Sequence, residues 1–268
     1  MRFRIALSLF LLALGSAMVS REVWAQPGET GVGYVVTIEG AIDPVTGRFL
    51  SRALDVATEQ NGVFVVVLLD TPGGLFETTR DMIQTIFESA VPVVVYVSPS
   101  GAQAASAGTF ITAASHIAAM APGTSIGAAS PVSETGEDLP KTLARKATQD
   151  AASTLRSIAD ERGRNRDSLE ETVLLARSYS ASEALESNII DLVARDLKDL
   201  ISMIDGWEVS VRDAKLVLRT EGIPLVEIDR TLVERFIGVI SDPNVAFLLM
   251  SLGGLGILVE IFSPGLLA

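Results

Sequence analysis

The chain has 268 residues and no cysteine. That absence removes disulfides, thiolate zinc sites and cysteine nucleophiles together. One histidine, His116, is too few for a histidine-rich metal site, and any Ser-His-Asp triad would have to use it. Cations are scarce as well: 21 Lys and Arg stand against 33 Asp and Glu, a formal net charge of −12. No basic stripe exists to neutralise phosphates, so nucleic acid is not an expected partner. Lysine is the rarer cation, present only as Lys141, Lys146, Lys198 and Lys215. Low-complexity tracts, long linkers and internal repeats are also missing. The length suits one large domain, or one domain with an appendage.

Apolar residues are in excess, at 48% of the chain, and they concentrate at the two ends. Arg2 and Arg4 precede the largely apolar run Ile5–Val19, and Val23-Trp24-Ala25 offers a small-x-small-like site before Gln26. This is the pattern of an export signal over residues 1–25. At the other end Val245–Val259 carries no charge, and the apolar stretch continues through Glu260 to Phe262. About 20 apolar residues span a bilayer, and Gly253, Gly254 and Gly256 would give this stretch a smooth packing face. The expectation is a transmembrane helix over 245–262, alone or as the first of a longer membrane region. Residues 30–241 would then form an extracytoplasmic domain tethered to the membrane.

Within 30–241, β-rich apolar runs alternate with helical patterns. Strands are expected at Tyr34–Ile38, Val63–Leu69, Val93–Val97, Ile117–Met120 and Asn188–Val193, with short late strands over Glu208–Leu218 and Pro224–Ile228. Helices are expected over Gly47–Gln60, Phe76–Ser89, from near Ala104, over Leu139–Glu161 and over Arg230–Ser241. Strand runs that are apolar on both faces and alternate with helices indicate an α/β fold with a mostly parallel sheet and flanking helices.

The candidate chemistry centres on Ala104–Thr109 (Ala-Ala-Ser-Ala-Gly-Thr). Small neighbours let a ligand approach and leave the Ser106 hydroxyl as the reactive group, and the site follows a buried strand, where α/β folds place their chemistry. Asp70-Thr71-Pro72-Gly73-Gly74 closes another apolar run. Glycine amides in such a turn offer N–H groups to a developing oxyanion, with Gly73 and Ala107 as the two donors. The plain alternative is packing for Ser106 and an ordinary turn for the glycines. His116 begins an expected strand, where a structural role at the sheet edge is the simpler reading. A lysine freed of its proton by desolvation is the other available base. Lys198 and Lys215 lie late, in stretches that look exposed, whereas Lys141 and Lys146 open the long helix after the Pro131–Pro140 loop. Asp150, at i+4 from Lys146, could pair with it and favour its charged form.

Together these segments, with Met120–Ala128 (Met-Ala-Pro-Gly-Thr-Ser-Ile-Gly-Ala) and Gly163-Arg164-Asn165, resemble the ClpP-class membrane-bound serine proteases called NfeD. The likeness runs from about Gly33 to Pro264. It implies a ClpP/crotonase-like fold and a Ser–Lys dyad that needs no metal or cofactor. The family serine falls on Ser106. Counting back from Gly163 along an uninterrupted helix places the family lysine on Lys146; Lys141, which follows Pro140, requires a gap. The oxyanion donors map to Gly73 and Ala107. The resemblance further implies cleavage of apolar peptide segments of a stomatin-like membrane partner by a homo-oligomer, in a cleft lined by residues such as Phe110, Ile126 and Leu75. Fuller members continue to a C-terminal β-barrel domain. Two rival readings are a crotonase-like acyl-CoA enzyme and a non-catalytic membrane scaffold for a stomatin-like partner.

Overall fold

Strand runs with no polar face have nothing to offer water, so they belong in a sheet covered on both sides. The computed structural model, which describes residues 31–132, 140–212, 214–241 and 243–262, has such a sheet at its centre. It is formed by β1 (Gly33–Glu39), β2 (Phe64–Asp70), β3 (Val93–Val97), β5 (Ile117–Met120), β8 (Leu192–Val193) and β11 (Leu225–Glu227). Their order is β11-β1-β2-β3-β5-β8, and every neighbouring pair is parallel. The export-signal reading over 1–25 lies outside the described residues.

Alternation divides the strands between two cores. Val65, Val67, Val93, Val95 and Met120 pack on one face. Helices α1 (Pro44–Glu59), α2 (Phe76–Phe87), α3 (Ala107–Ala114) and α4 (Lys141–Arg162) supply the apolar residues of that side. Phe64, Val66, Val94 and Tyr96 face the other way. They meet Leu200 of α7 (Leu197–Met203) and the antiparallel hairpin of β9 (Glu208–Val211) and β10 (Ala214–Val217). Burying each Val or Phe contributes about 1.5–3 kcal/mol. Local signals set the helix starts: the Asp43 carboxylate accepts the Thr46 N–H at 2.7 Å, and Pro44 occupies the first turn of α1.

The tripeptide Gly163-Arg164-Asn165 is a structural joint. Gly163 ends α4 in the left-handed region, at φ +67°, where glycine has no Cβ penalty. Asn165 caps α5 (Arg166–Leu174), its Oδ1 accepting the Ser168 N–H at 3.1 Å. Between them, the buried Arg164 guanidinium donates to the carbonyls of Ala113 at 3.0 Å and of Ser115 and Ile189 at 3.3 Å. It also pairs with Asp191 at 2.9 Å. The carbonyl end of α3 and the end of α4 are thereby tied to one buried cation.

Four expectations are corrected. The helix expected from near Ala104 starts at Ala107, because Gln103–Ala105 is a strand, β4. With β6 (Ser125–Gly127) and β7 (Ser178–Ser180) it forms a second, three-stranded sheet. The strand over Asn188–Val193 contracts to Leu192–Val193, since Asn188 turns through φ +54°. The run Glu208–Leu218 folds back on itself as the hairpin rather than extending. The late helix begins at Leu232, as α8 (Leu232–Ser241), where Thr231 and Glu234 cap one another. A short helix α6 (Ala181–Glu186) precedes β8, and the last of the described residues form α9 (Pro243–Phe262). Among the described residues, Val245–Phe262 of α9 is the one stretch long and apolar enough to cross a membrane.

Candidate active site

The turn after β2 and the turn after β4 are locked together by backbone pairing. Thr71 N–H donates to Gln103 O at 2.7 Å, Ala105 N–H donates to Thr71 O at 3.0 Å, and Asp70 Oδ1 accepts the Gln103 N–H at 3.0 Å. This brings Gly73 against Ser106. Gly73 lies at φ +121°, and a Cβ built on it would stand 2.6 Å from Ser106 Cβ and 3.1 Å from its Oγ. Glycine is therefore required there both by conformation and by space. Gly74 is equally constrained, because a Cβ on it would lie 2.1 Å from Ile42 O.

Ser106 links β4 to α3 at φ +51°, ψ −113°, a region that costs a non-glycine residue about 1–3 kcal/mol. The surroundings hold it there. Ser106 N–H donates to Gly127 O at 2.9 Å. Thr109 Oγ1 lies 3.0 Å from the carbonyls of both Ala104 and Gly127 and accepts the Gly127 N–H at 3.1 Å. A strand–serine–helix turn of this kind lifts a hydroxyl clear of its own backbone. Ser106 is half-buried and its hydroxyl makes no hydrogen bond among the described residues. Ala107 takes the first helical position, so its N–H has no intrahelical acceptor and sits at the positive end of the α3 dipole. The Gly73 N–H donates to the Thr71 hydroxyl at 3.1 Å, and that hydroxyl also lies 3.2 Å from Gly73 O.

Ser106 and Ala107 open onto a cleft of about 1,350 Å³, with Leu75, Phe76, Phe110, Ala129, Ala147 and Ala151 on its walls. Phe76 and Phe110 meet edge to face, with centroids 5.6 Å apart. Leu75 and Phe110 thus line the cleft as expected. Ile126 does not: it is packed in the core beneath β6, because alternation along that strand turns it inward.

The structure places the lysines differently from the serine. Lys146 lies in the second turn of α4 and is exposed. It does not line the cleft and makes no ion pair or hydrogen bond among the described residues. Helical geometry gives the reason: Ala147, Asp150 and Ala151 face the cleft, and Lys146, about 100° around the helix from Ala147 and about 40° from Asp150, falls just outside that arc. The burial that would desolvate a lysine base is not found at Lys146 among the described residues. Asp150 pairs with Arg80 of α2 instead of with Lys146, so that competitor for the lysine is already engaged. Lys141 is exposed at the start of α4, and Lys215 pairs with Glu208 at 2.7 Å.

His116 has a structural post. It immediately precedes β5, at the opposite end of the strands from Ser106, and its Nδ1 accepts the Val93 N–H at 3.1 Å. Burial, and secondarily the charge of Arg162, push its pKa down from 6.5 to about 3. It is a neutral acceptor in the sheet.

Fold and site together define an α/β domain with a parallel central sheet that presents a strained serine beside a glycine turn at the head of a largely apolar cleft. The chain belongs to the NfeD1b N-terminal-domain family, whose model matches residues 32–208. It is 35% identical over 237 residues to the membrane-bound protease PH1510 of Pyrococcus horikoshii, covering 87% of this chain and 53% of that protein. Membrane protein NfeD1b of Bacillus subtilis is 27% identical over 281 residues, covering 98% and 57%. The chain thus spans just over half the length of the curated relatives it matches. Among solved structures, the 1510-N membrane-bound stomatin-specific protease superposes with a TM-score of 0.73 at 33% identity. That structure is a lysine-to-alanine mutant in complex with a substrate peptide, and the match covers 79% of this chain and 98% of that one. A serine-to-alanine mutant of the same protease superposes at 0.70 and 33% identity, covering 75% and 99%.

The supporting residues Thr71, Gly127 and Arg164 escape a reading confined to reactive side chains. Their signal in the sequence is weak: each sits beside a recognisable turn but acts through backbone groups distant along the chain.

Proposed function

We propose that this chain is a membrane-tethered serine endopeptidase. The observation that carries the reading is the contact of Gly73 with Ser106, which sets a nucleophile beside a glycine amide at the head of an apolar cleft. Ser106 Oγ attacks the scissile carbonyl carbon while Lys146 takes its proton. The tetrahedral oxyanion rests on the amides of Gly73 and Ala107. To take the Gly73 amide the oxyanion displaces the Thr71 hydroxyl, which keeps Gly73 O as an acceptor and so is not orphaned. Collapse breaks the C–N bond, and Lys146 returns the proton to the leaving amine; water then hydrolyses the acyl-enzyme with Lys146 again as base.

Spacing supports the choice of lysine. The serine and lysine replaced in the two solved relatives lie 41 positions apart in their chain. Ser106 and Lys146 lie 40 apart here, and Lys141 only 35 from Ser106. Lys146 lies next to the Asp150 edge of the cleft, so a peptide that extends past the Ala147 and Ala151 wall on that side would cover it and exclude water from it. The stomatin specificity of the solved relative supports a stomatin-like membrane protein as substrate; we infer in addition that an apolar segment of it is cut, by a homo-oligomer on the extracytoplasmic side. The exposure of Lys146 is the observation that favours the alternative, a non-catalytic membrane scaffold for a stomatin-like partner.

The test is cleavage of an apolar peptide library by the full chain in lipid vesicles. Ser106→Ala and Lys146→Ala are each expected to lose about 10⁴-fold or more in kcat, with Lys141→Ala active. Loss with Lys141→Ala instead would move the base. No cleavage by the unaltered chain would favour the scaffold.

A further inference from the structure

Helix α8 is amphipathic in the sense opposite to that of an ordinary surface helix, which turns its apolar stripe toward the core. Leu232, Val233, Phe236, Ile237, Val239 and Ile240 fall on one side of the helix and are all exposed, from 38% for Ile237 to 84% for Leu232. The other side, with Glu234, Gly238 and Ser241, faces the protein. Glu234 takes both Nε and Nη2 of Arg52 on α1, at 2.9 and 2.7 Å. Arg52 also reaches Asp229 O at 2.8 Å, and Arg230 Nη2 reaches Thr46 Oγ1 at 3.2 Å. Polar contacts therefore latch the helix to the domain; Val239 borders the Ser106 cleft, and the other large apolar residues point away from the domain.

The chain says what covers that face. Asp242 alone separates α8 from α9, so the end of α8 stands a residue or two, about 3.8 Å each, from a helix whose length and composition suit a bilayer span. Most of the large apolar residues of α8 and of α9 are exposed alike. Gly238, Ser241 and the first residue of the span, Val245, also wall the Ser106 cleft. We propose that α8 lies in the membrane interface with its apolar face in lipid, which places the mouth of the cleft at the bilayer surface. The substrate class follows: a polypeptide segment lying on, or emerging from, the same membrane. This second half rests on the protease reading; the lipid docking does not.

The lack of cysteine makes the test clean. Val233→Cys, Phe236→Cys and Ile240→Cys are spin-labelled one at a time in the full chain, reconstituted into phosphatidylcholine–phosphatidylglycerol vesicles, with Gln84→Cys on α2 as the control. The three α8 labels are expected to show an oxygen-to-nickel-chelate collision ratio roughly fivefold or more above the control. Labels shielded from both reagents would mean that a second copy or another protein covers the face. Labels open to the nickel chelate would mean that it stands in water. Either result overturns the docking. For the cleft, the doubly substituted Val233→Glu/Phe236→Glu chain is expected to cut a vesicle-anchored substrate about tenfold more slowly while cutting the same sequence as a free peptide at the unaltered rate. Equal loss on both substrates overturns the positioning. If the unaltered chain cuts neither, the protease reading fails, and the label depths still decide whether α8 docks on lipid.

Discussion

The turn that carries Ser106 and the helix that carries Lys146 border the same cleft and are built in opposite ways. Ser106 is over-determined: its backbone amide, the Thr109 hydroxyl and the Gly127 peptide hold a strained φ of +51°, and Gly73 leaves no spare space beside it. Lys146 stands exposed on α4, with no ion pair or hydrogen bond among the described residues. In the mechanism proposed above, the nucleophile half is therefore organised before substrate arrives, while the base half would depend on what covers it. Strain is kept where a hydroxyl must be aimed. To act as the base, Lys146 would have to be both dried and brought within hydrogen-bond reach of Ser106 when substrate binds.

The largest test of this contrast lies where the two regions meet. Arg164 ties the end of α3 to the end of α4, and Arg164→Met removes the donor to the carbonyls of Ala113, Ser115 and Ile189 and the cation beside Asp191, whose carboxylate keeps the Ala118 N–H. Loss of one partner from a buried pair costs about 3–5 kcal/mol, so the urea midpoint of this variant is expected to fall steeply. An unchanged midpoint would show that the joint is not what holds the halves together.

Gly73→Ala breaks the organised half alone. The added methyl collides with Ser106 and the φ of +121° disfavours any side chain. Steady-state kinetics are expected to show kcat down by about 10²–10³, as for the loss of one oxyanion donor, with the circular dichroism spectrum retained. A fully active Gly73→Ala enzyme would remove this turn from the mechanism.

His116→Gln, remote from both halves, should move stability and leave kcat alone. The folded imidazole titrates near 3 and the unfolded one near 6.5. The unfolded chain therefore binds the extra proton between those values, and the stability given by the neutral ring is lost as pH falls from about 6.5 toward 3. Denaturation midpoints at pH 7 and pH 4.5 are expected to differ less in the variant than in the parent chain. An equal acid loss in both would place the titrating group elsewhere.

Much of this was legible before any coordinates. β2 and β3 are runs of Val and Leu that suit only a covered sheet, and the turns after them carry glycines and a serine among alanines. Other parts were not legible. β4, β6 and β7 are three residues each, too short for a period of two to declare itself, yet their pairing is what brings Gly127 under Ser106. Ile126 looked like a cleft residue by composition and lies in the core by alternation. The helix over 232–241 reads as ordinary from its pattern, since periodicity reveals an apolar face without saying whether protein or lipid receives it.

The sequence by itself determined the parallel α/β class, the serine and glycine turns, the lack of cysteine chemistry, and an apolar stretch long enough to span a bilayer. These depend on residue type, run length and local spacing, which short-range sterics and solvation translate directly into structure. Tertiary structure alone decided that Gly73 touches Ser106, that Arg80 rather than Lys146 takes Asp150, that Ala147 rather than Lys146 faces the cleft, and that α8 turns its apolar side outward. Each of these depends on which faces of elements far apart in the chain meet, and no local pattern contains that information.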